Sequence, residues 1–143
     1  MSMDSLIKKA IAKQPTIKPR TKRNAQPEAI EQAKVIAWAK RHEHIYPYLW
    51  LLHCSLNGVK MTKAQAVRAI AQGMKKGVSD LFLPVKKGVF SGLYIEMKSE
   101  KGRTSIDQSK FLTAVSENDY SAHICYSAVE AIDKIKDYYN LSN

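Results

Sequence analysis

Residues Gly77 to Lys98 read GVSDLFLPVKKGVFSGLYIEMK, and the fold turns on this stretch. Two short apolar runs, residues 80–83 and 93–98, are separated by Pro84, Lys86, Lys87 and Gly88, the composition of a hairpin connection. Successive strand side chains change faces, so Leu93, Ile95 and Met97 point one way and Tyr94, Glu96 and Lys98 the other. Leu81 and Leu83 likewise oppose Asp80 and Phe82. Both strands can bury aliphatic residues on one side and leave Asp80, Glu96 and Lys98 as a polar surface feature on the other. Two carboxylates and an ammonium on one face suit a divalent metal and a hydrolytic water attacking a phosphodiester. The plain alternative makes Asp80 a turn residue and Glu96 with Lys98 a solvated ion pair, worth about 0.2–1 kcal/mol. Pro84 lacks an amide donor, so the first of these strands is expected to be short or at a sheet edge.

Outward from the hairpin, Thr62 with Gln65 forms a capping-box pattern that opens a helix through Val67, Ile70, Ala71 and Met74, expected to stop at Gly77. Before it, Tyr48 to Ser55 is an almost wholly apolar run that reads as a strand buried on both faces, closed by the Asn57-Gly58 turn. Pro27 suits the first position of a helix that runs with helical spacing to about His42. After the hairpin, Ser105 with Gln108 makes a second capping box, opening a helix that buries Phe111, Leu112 and Val115 and ends at Asn118. Residues 122–126 form a fourth strand, and Ser127 with Glu130 opens a last amphipathic helix through Ile132, Ile135 and Tyr139. Trp38 and Trp50 are read as core. The order predicts an α/β fold: a mixed central sheet of about four strands flanked by helices, αβ(α)ββαβα.

The chain has 143 residues, which suits one domain, and a formal net charge of +10. Its hydrophobic fraction of 45% and charged fraction of 25% are those of an ordinary soluble protein. No apolar run approaches the roughly 20 residues that span a bilayer, and the basic amino terminus lacks a secretory h-region. A cytoplasmic protein is expected. Residues 1–26 hold seven Lys and Arg against the single acid Asp4, and are read as a mobile basic arm with a short helix from Ser5 to Lys13; residues 27–143 are read as one domain. A basic surface draws polyanions through counterion release, and Lys60, Lys63, Lys75, Lys76, Lys86, Lys87, Lys101 and Arg103 flank the hairpin site as a phosphate track. Cys54 and Cys125 are read as buried free thiols. With His53 and His123 they lack zinc-type spacing, so zinc is set aside.

The helix PEAIEQAKVIAWA, the strand and turn LLHCSLNG, the segment GMKKGVSDLFLP, the core GLYIEMKSEKGRTSIDQSKFL and a closing strand and helix together resemble stand-alone, phage-type VRR-NUC proteins of the PD-(D/E)XK nuclease superfamily. Coverage runs from about Glu28 to the carboxyl terminus. The resemblance implies a restriction-endonuclease-like core in which Asp80 and Glu96 bind Mg²⁺ or Mn²⁺, the Met97 carbonyl adds a ligand, and Lys98 is the triad lysine. Gln108 matches the family's glutamine on the following helix, and Glu28 the acid of its first helix. For Glu28 the alternative is a first-turn acid favouring the helix dipole, with Glu31 a rival for the role. For Gln108 the alternatives are a bond to Lys98 or to a DNA phosphate, or only the satisfaction of a backbone amide. The residue before the motif aspartate, commonly proline, is Ser79 here; no ligand is lost. The implied activity is an endonuclease selective for branched DNA such as Holliday junctions, acting as a homodimer. Flap or nicking activity on other DNA, or a catalytically silent nucleic-acid-binding module, are the alternatives.

Overall fold

The computed structural model describes Ser2 and residues 27–143, so the proposed basic arm lies outside the described residues. Helix α1 (Pro27–His42) starts on Pro27, whose missing N–H costs nothing in a first turn. A 3₁₀ turn (Leu49–Leu51) leads into β1 (His53–Cys54), followed by α2 (Lys63–Ala71), β2 (Leu81–Leu83), β3 (Gly92–Met97), α3 (Ile106–Glu117), β4 (Tyr120–Cys125) and α4 (Ala128–Tyr139). The four strands form one sheet in the order β1-β2-β3-β4. β1, β2 and β3 are antiparallel and β4 runs parallel to β3. This is the mixed sheet flanked by helices expected of a restriction-endonuclease-like α/β core.

The sheet has two different faces. Leu81, Leu83, Leu93, Ile95 and Met97 pack into a core with Val35, Trp38 and Ala39 of α1 and Ala131, Ile135 and Tyr138 of α4. On the opposite face Phe82 stacks on Tyr94 at 4.3 Å, and Phe111 of α3 meets Tyr94 edge-on at 5.2 Å. Both capping boxes form: Thr62 with Gln65, and Ser105 with Gln108. Asn118 caps the end of α3 as expected, although Phe111, Leu112 and Val115 are only half-buried.

Several expectations are corrected. The run from Tyr48 is not a doubly buried strand. Tyr48 has φ 64° and the next three residues close a 3₁₀ turn, which buries Leu49 fully and leaves Trp50 64% exposed. An unbroken apolar run carries no period, so it cannot separate strand from helical turn. β1 keeps two residues, both exposed at the sheet edge, and Cys54 is therefore an exposed thiol while Cys125 is buried. β2 is short, as Pro84 requires, yet it lies inside the sheet between β1 and β3; Pro84 falls just past its last paired residue. α2 ends at Ala71, before Met74, because Gly73 takes φ 108°, the left-handed conformation that stops a helix. Val67 and Ile70 are 67% and 57% exposed, since the core on one sheet face is filled by residues of the first and last helices and the other face is met by Phe111 of α3. Among the described residues no helix is long and apolar enough to cross a membrane.

Candidate active site

Leu81 pairs with Ile95 and Phe82 with Tyr94, so one further step of the same register sets Asp80 opposite Glu96. Facing residues on antiparallel strands have Cβ atoms about 4.5–5.5 Å apart. The two carboxylates feel each other: burial comes first in raising both pKa values, and the Asp80 charge adds to the rise at Glu96, which is pushed up from 4.5 to about 7. Asp80 Oδ2 accepts the Met97 N–H at 2.7 Å, which holds its carboxylate against β3.

Glu96 and Lys98 are not a surface feature. They are 2% and 8% exposed, because α3 lays Gln108 over that end of the sheet face. Glu96 Oε1 receives the Lys98 ammonium at 3.0 Å and the Gln108 side-chain N–H at 2.7 Å. Its other oxygen, Oε2, is buried with no hydrogen-bond partner among the described residues. Gln108 does two jobs at once: its carbonyl oxygen accepts the Ser105 N–H at 2.9 Å in the capping box, while its amide donates to Glu96 and not to Lys98.

The acids of α1 are separated by what they cap. Glu28 Oε1 accepts the Ser99 N–H at 3.1 Å, and its charge helps raise the Asp80 pKa, so it stands at the site. Glu31 turns away, accepting the Ala128 N–H at 2.7 Å at the start of α4 and pairing with Lys34. His53 bonds the Leu51 carbonyl at 2.8 Å, and Asn57 donates to the Val78 carbonyl at 3.1 Å, both local structural roles. Lys60, Lys63, Lys75, Lys76, Lys101 and Arg103 are all exposed. A Cβ on Gly77 would lie 2.5 Å from the Asp107 backbone, so the segment carrying Lys75 and Lys76 abuts the start of α3, near Lys101 and Arg103. That joint, and the backbone amides of Met97 and Ser99 as anchors, went unnoticed in the sequence. Only Gly77 left a trace there, as a glycine between a helix and a strand.

A VRR-NUC domain matches residues 17–129. The chain belongs to the VRR-NUC family. A solved structure described as a VRR_NUC domain protein shares the fold with a TM-score of 0.70 at 23% identity, over 84% of this chain and 93% of that one. None of the curated proteins matches. Family membership brings a general nuclease function, and the VRR-NUC mechanism is divalent-cation dependent.

Among the described residues of this VRR-NUC chain no group of three or more His, Cys, Asp and Glu is placed to hold a metal ion. The Asp80–Glu96 pair nevertheless fits a small hard cation. Its donors are carboxylate oxygens, one of them a buried oxygen without a partner, and the like charges of the pair lack full compensation. A cation bound there with its own waters needs few protein ligands.

The raised pKa values make a prediction. Asp80 and Glu96 hold their protons to higher pH in the folded chain than in the unfolded one, so the folded state binds more protons. Stability of the metal-free protein should fall as pH rises from about 4.5 through about 7. Mg²⁺ or Mn²⁺ should raise the melting temperature more at pH 7.5 than at pH 5, and Glu96→Gln should flatten the pH dependence. Melting curves in EDTA and in each metal test this; equal pH slopes for wild type and Glu96→Gln would contradict it.

Proposed function

We propose that this chain is a Mg²⁺- or Mn²⁺-dependent DNA endonuclease, with Asp80 and Glu96 holding the ion and the Met97 carbonyl and Glu28 as further oxygen donors. The observation that carries the reading is that Glu96, opposite Asp80 in the strand register, has one buried oxygen, Oε2, without a hydrogen-bond partner among the described residues while Lys98 occupies the other. A cation held there polarises the scissile phosphoryl group and lowers the pKa of a bound water. The chain's own residues do the rest. Met97 N–H and Gln108 fix the two carboxylates, so they need not reorganise during reaction. Lys98, held at Glu96, orients the attacking water or offsets charge gathering on the phosphate oxygens. The attacking water gives up a proton to solvent as its oxygen bonds phosphorus, one P–O ester bond breaks, and the departing oxygen takes up a proton from solvent.

The substrate we propose is branched DNA, Holliday junctions foremost, with the exposed Lys60, Lys63, Lys75, Lys76, Lys101 and Arg103 meeting phosphates. Two symmetric nicks in a junction call for two active sites, hence a homodimer. The cytoplasm, where such DNA is met, is the proposed location. Incubating the protein with synthetic junctions, flaps and linear duplex in a metal series, with product mapping, tests the reading. Paired nicks on junctions are expected; cuts confined to flaps or single nicks would favour a flap or nicking enzyme, and binding without cuts in any metal a silent binding module.

Gln108 gives a narrower test. Gln108→Glu keeps an acceptor for the Ser105 N–H but offers Glu96 no donor and adds a like charge beside it. Cleavage should drop about tenfold or more, equivalent to about 1.4 kcal/mol in the barrier, when assayed below the melting temperature, which should itself fall at pH 7.5 because the added carboxylate meets the buried Glu96. Gln108→Ala should lose about 1 kcal/mol of stability with the cap. A Gln108→Glu protein that cuts like wild type would show that the residue only caps α3.

A further inference from the structure

Asp80 also forms part of the wall of a cleft of about 500 Å³ between α1 and the β1 edge. One side is aliphatic, built from Ala33, Ile36 and Ala37 of α1, and faces Val59 across the opening. Ser55 sits beside Asp80, its N–H bonded to the Asp80 carbonyl at 2.8 Å, and its hydroxyl oxygen is buried without a partner among the described residues. Lys40, exposed, closes the end away from the carboxylates. Glu28 lies at the carboxylate end of α1, so at 1.5 Å per residue Lys40 stands about 18 Å further along the helix axis.

A cleft of this size takes a group as large as a nucleoside and is too narrow for a duplex. We infer that it receives one unpaired nucleotide of the strand being cut. The base lies against the aliphatic wall, and the onward backbone runs towards the Lys40 ammonium. This rests on the nuclease reading, which puts the scissile phosphate at Asp80, and deepens it. Taking a base out of a duplex stack costs several kcal/mol, whereas a base already unpaired at a branch enters for much less. The cleft therefore supplies a physical cause for preferring branched over continuous DNA.

The test uses the full chain, a splayed-arm DNA with 2-aminopurine at the first unpaired nucleotide, and a matched duplex carrying the same label, in EDTA. Wild type should change the 2-aminopurine emission of the splayed arm and not of the duplex. Ala33→Phe fills the cleft from an exposed α1 position; it should abolish the change and weaken splayed-arm binding at least about tenfold more than duplex binding. Lys40→Ala, a surface change, should lower the slope of log affinity against log salt by about 0.7. An Ala33→Phe protein with the wild-type response, an equal response to duplex, or an unchanged salt slope for Lys40→Ala would overturn the inference. Cleavage in Mg²⁺ and Mn²⁺ is scored in parallel to separate the two readings. An emission change that Ala33→Phe removes, in a chain that cuts nothing, upholds the cleft and overturns the nuclease; cutting with no such change does the reverse.

Discussion

Asp80→Asn is expected to bind junction DNA about as well as wild type and to cleave it at least three orders of magnitude more slowly. The amide oxygen of asparagine can still accept the Met97 N–H, so the residue stays where Asp80 is held. What disappears is one of the two facing negative charges that would grip a cation. Losing about 4 kcal/mol of transition-state stabilisation corresponds to a factor of about 10³ in rate. The same change relieves the like-charge contact with Glu96, so metal-free Asp80→Asn should be at least as stable as wild type above pH 7. Single-turnover cleavage, binding by titration and melting curves on one preparation check all three outcomes. Wild-type cleavage by Asp80→Asn would remove Asp80 from the chemistry, and a folded variant that no longer binds would recast it as a DNA contact.

Gly77→Ala should have the largest effect on stability. Gly77 has φ 84°, a conformation that costs any residue with a Cβ roughly 1 kcal/mol or more. The added carbon would also lie 2.5 Å from the Asp107 carbonyl carbon and oxygen, backbone atoms that cannot swing aside. The start of α3 must move, carrying Gln108 off Glu96. A combined loss of about 3 kcal/mol, or roughly 10 °C in melting temperature, is expected, with cleavage falling alongside it. Gly73→Ala makes a useful comparison: Gly73 also has positive φ, but a Cβ there would meet nothing within 4 Å. It should cost about a third as much and leave cleavage intact. Equal melting losses for the two variants would show that the Asp107 contact is unimportant.

Much of the molecule was legible in local pattern. The alternation in residues 93–98 placed Leu93, Ile95 and Met97 in the core, and both capping boxes formed where Thr62 with Gln65 and Ser105 with Gln108 announced them. These signals survive because they involve neighbours in the chain, whose geometry any strand or helix start reproduces. The doubly buried strand at Tyr48 and the core role of Trp50 failed for the opposite reason: an apolar run without period leaves its conformation to whatever packs against it. Pro84 marked the end of β2, but whether another strand lay beside it depended on β1 returning from earlier in the chain.

By itself the sequence determined the α/β order, the antiparallel hairpin and the presence of Asp80, Glu96 and Lys98 on one face, because strand alternation and hairpin register are local geometry. Only the tertiary structure decided that this face is buried, that Gln108 binds Glu96, that Glu28 bonds the Ser99 amide near Asp80 while Glu31 bonds that of Ala128, and that one Glu96 oxygen is left without a hydrogen-bond partner among the described residues. Those facts depend on how α1 and α3 pack against the sheet. Desolvation and charge coupling, which set the chemistry of the carboxylates, arise only from that packing.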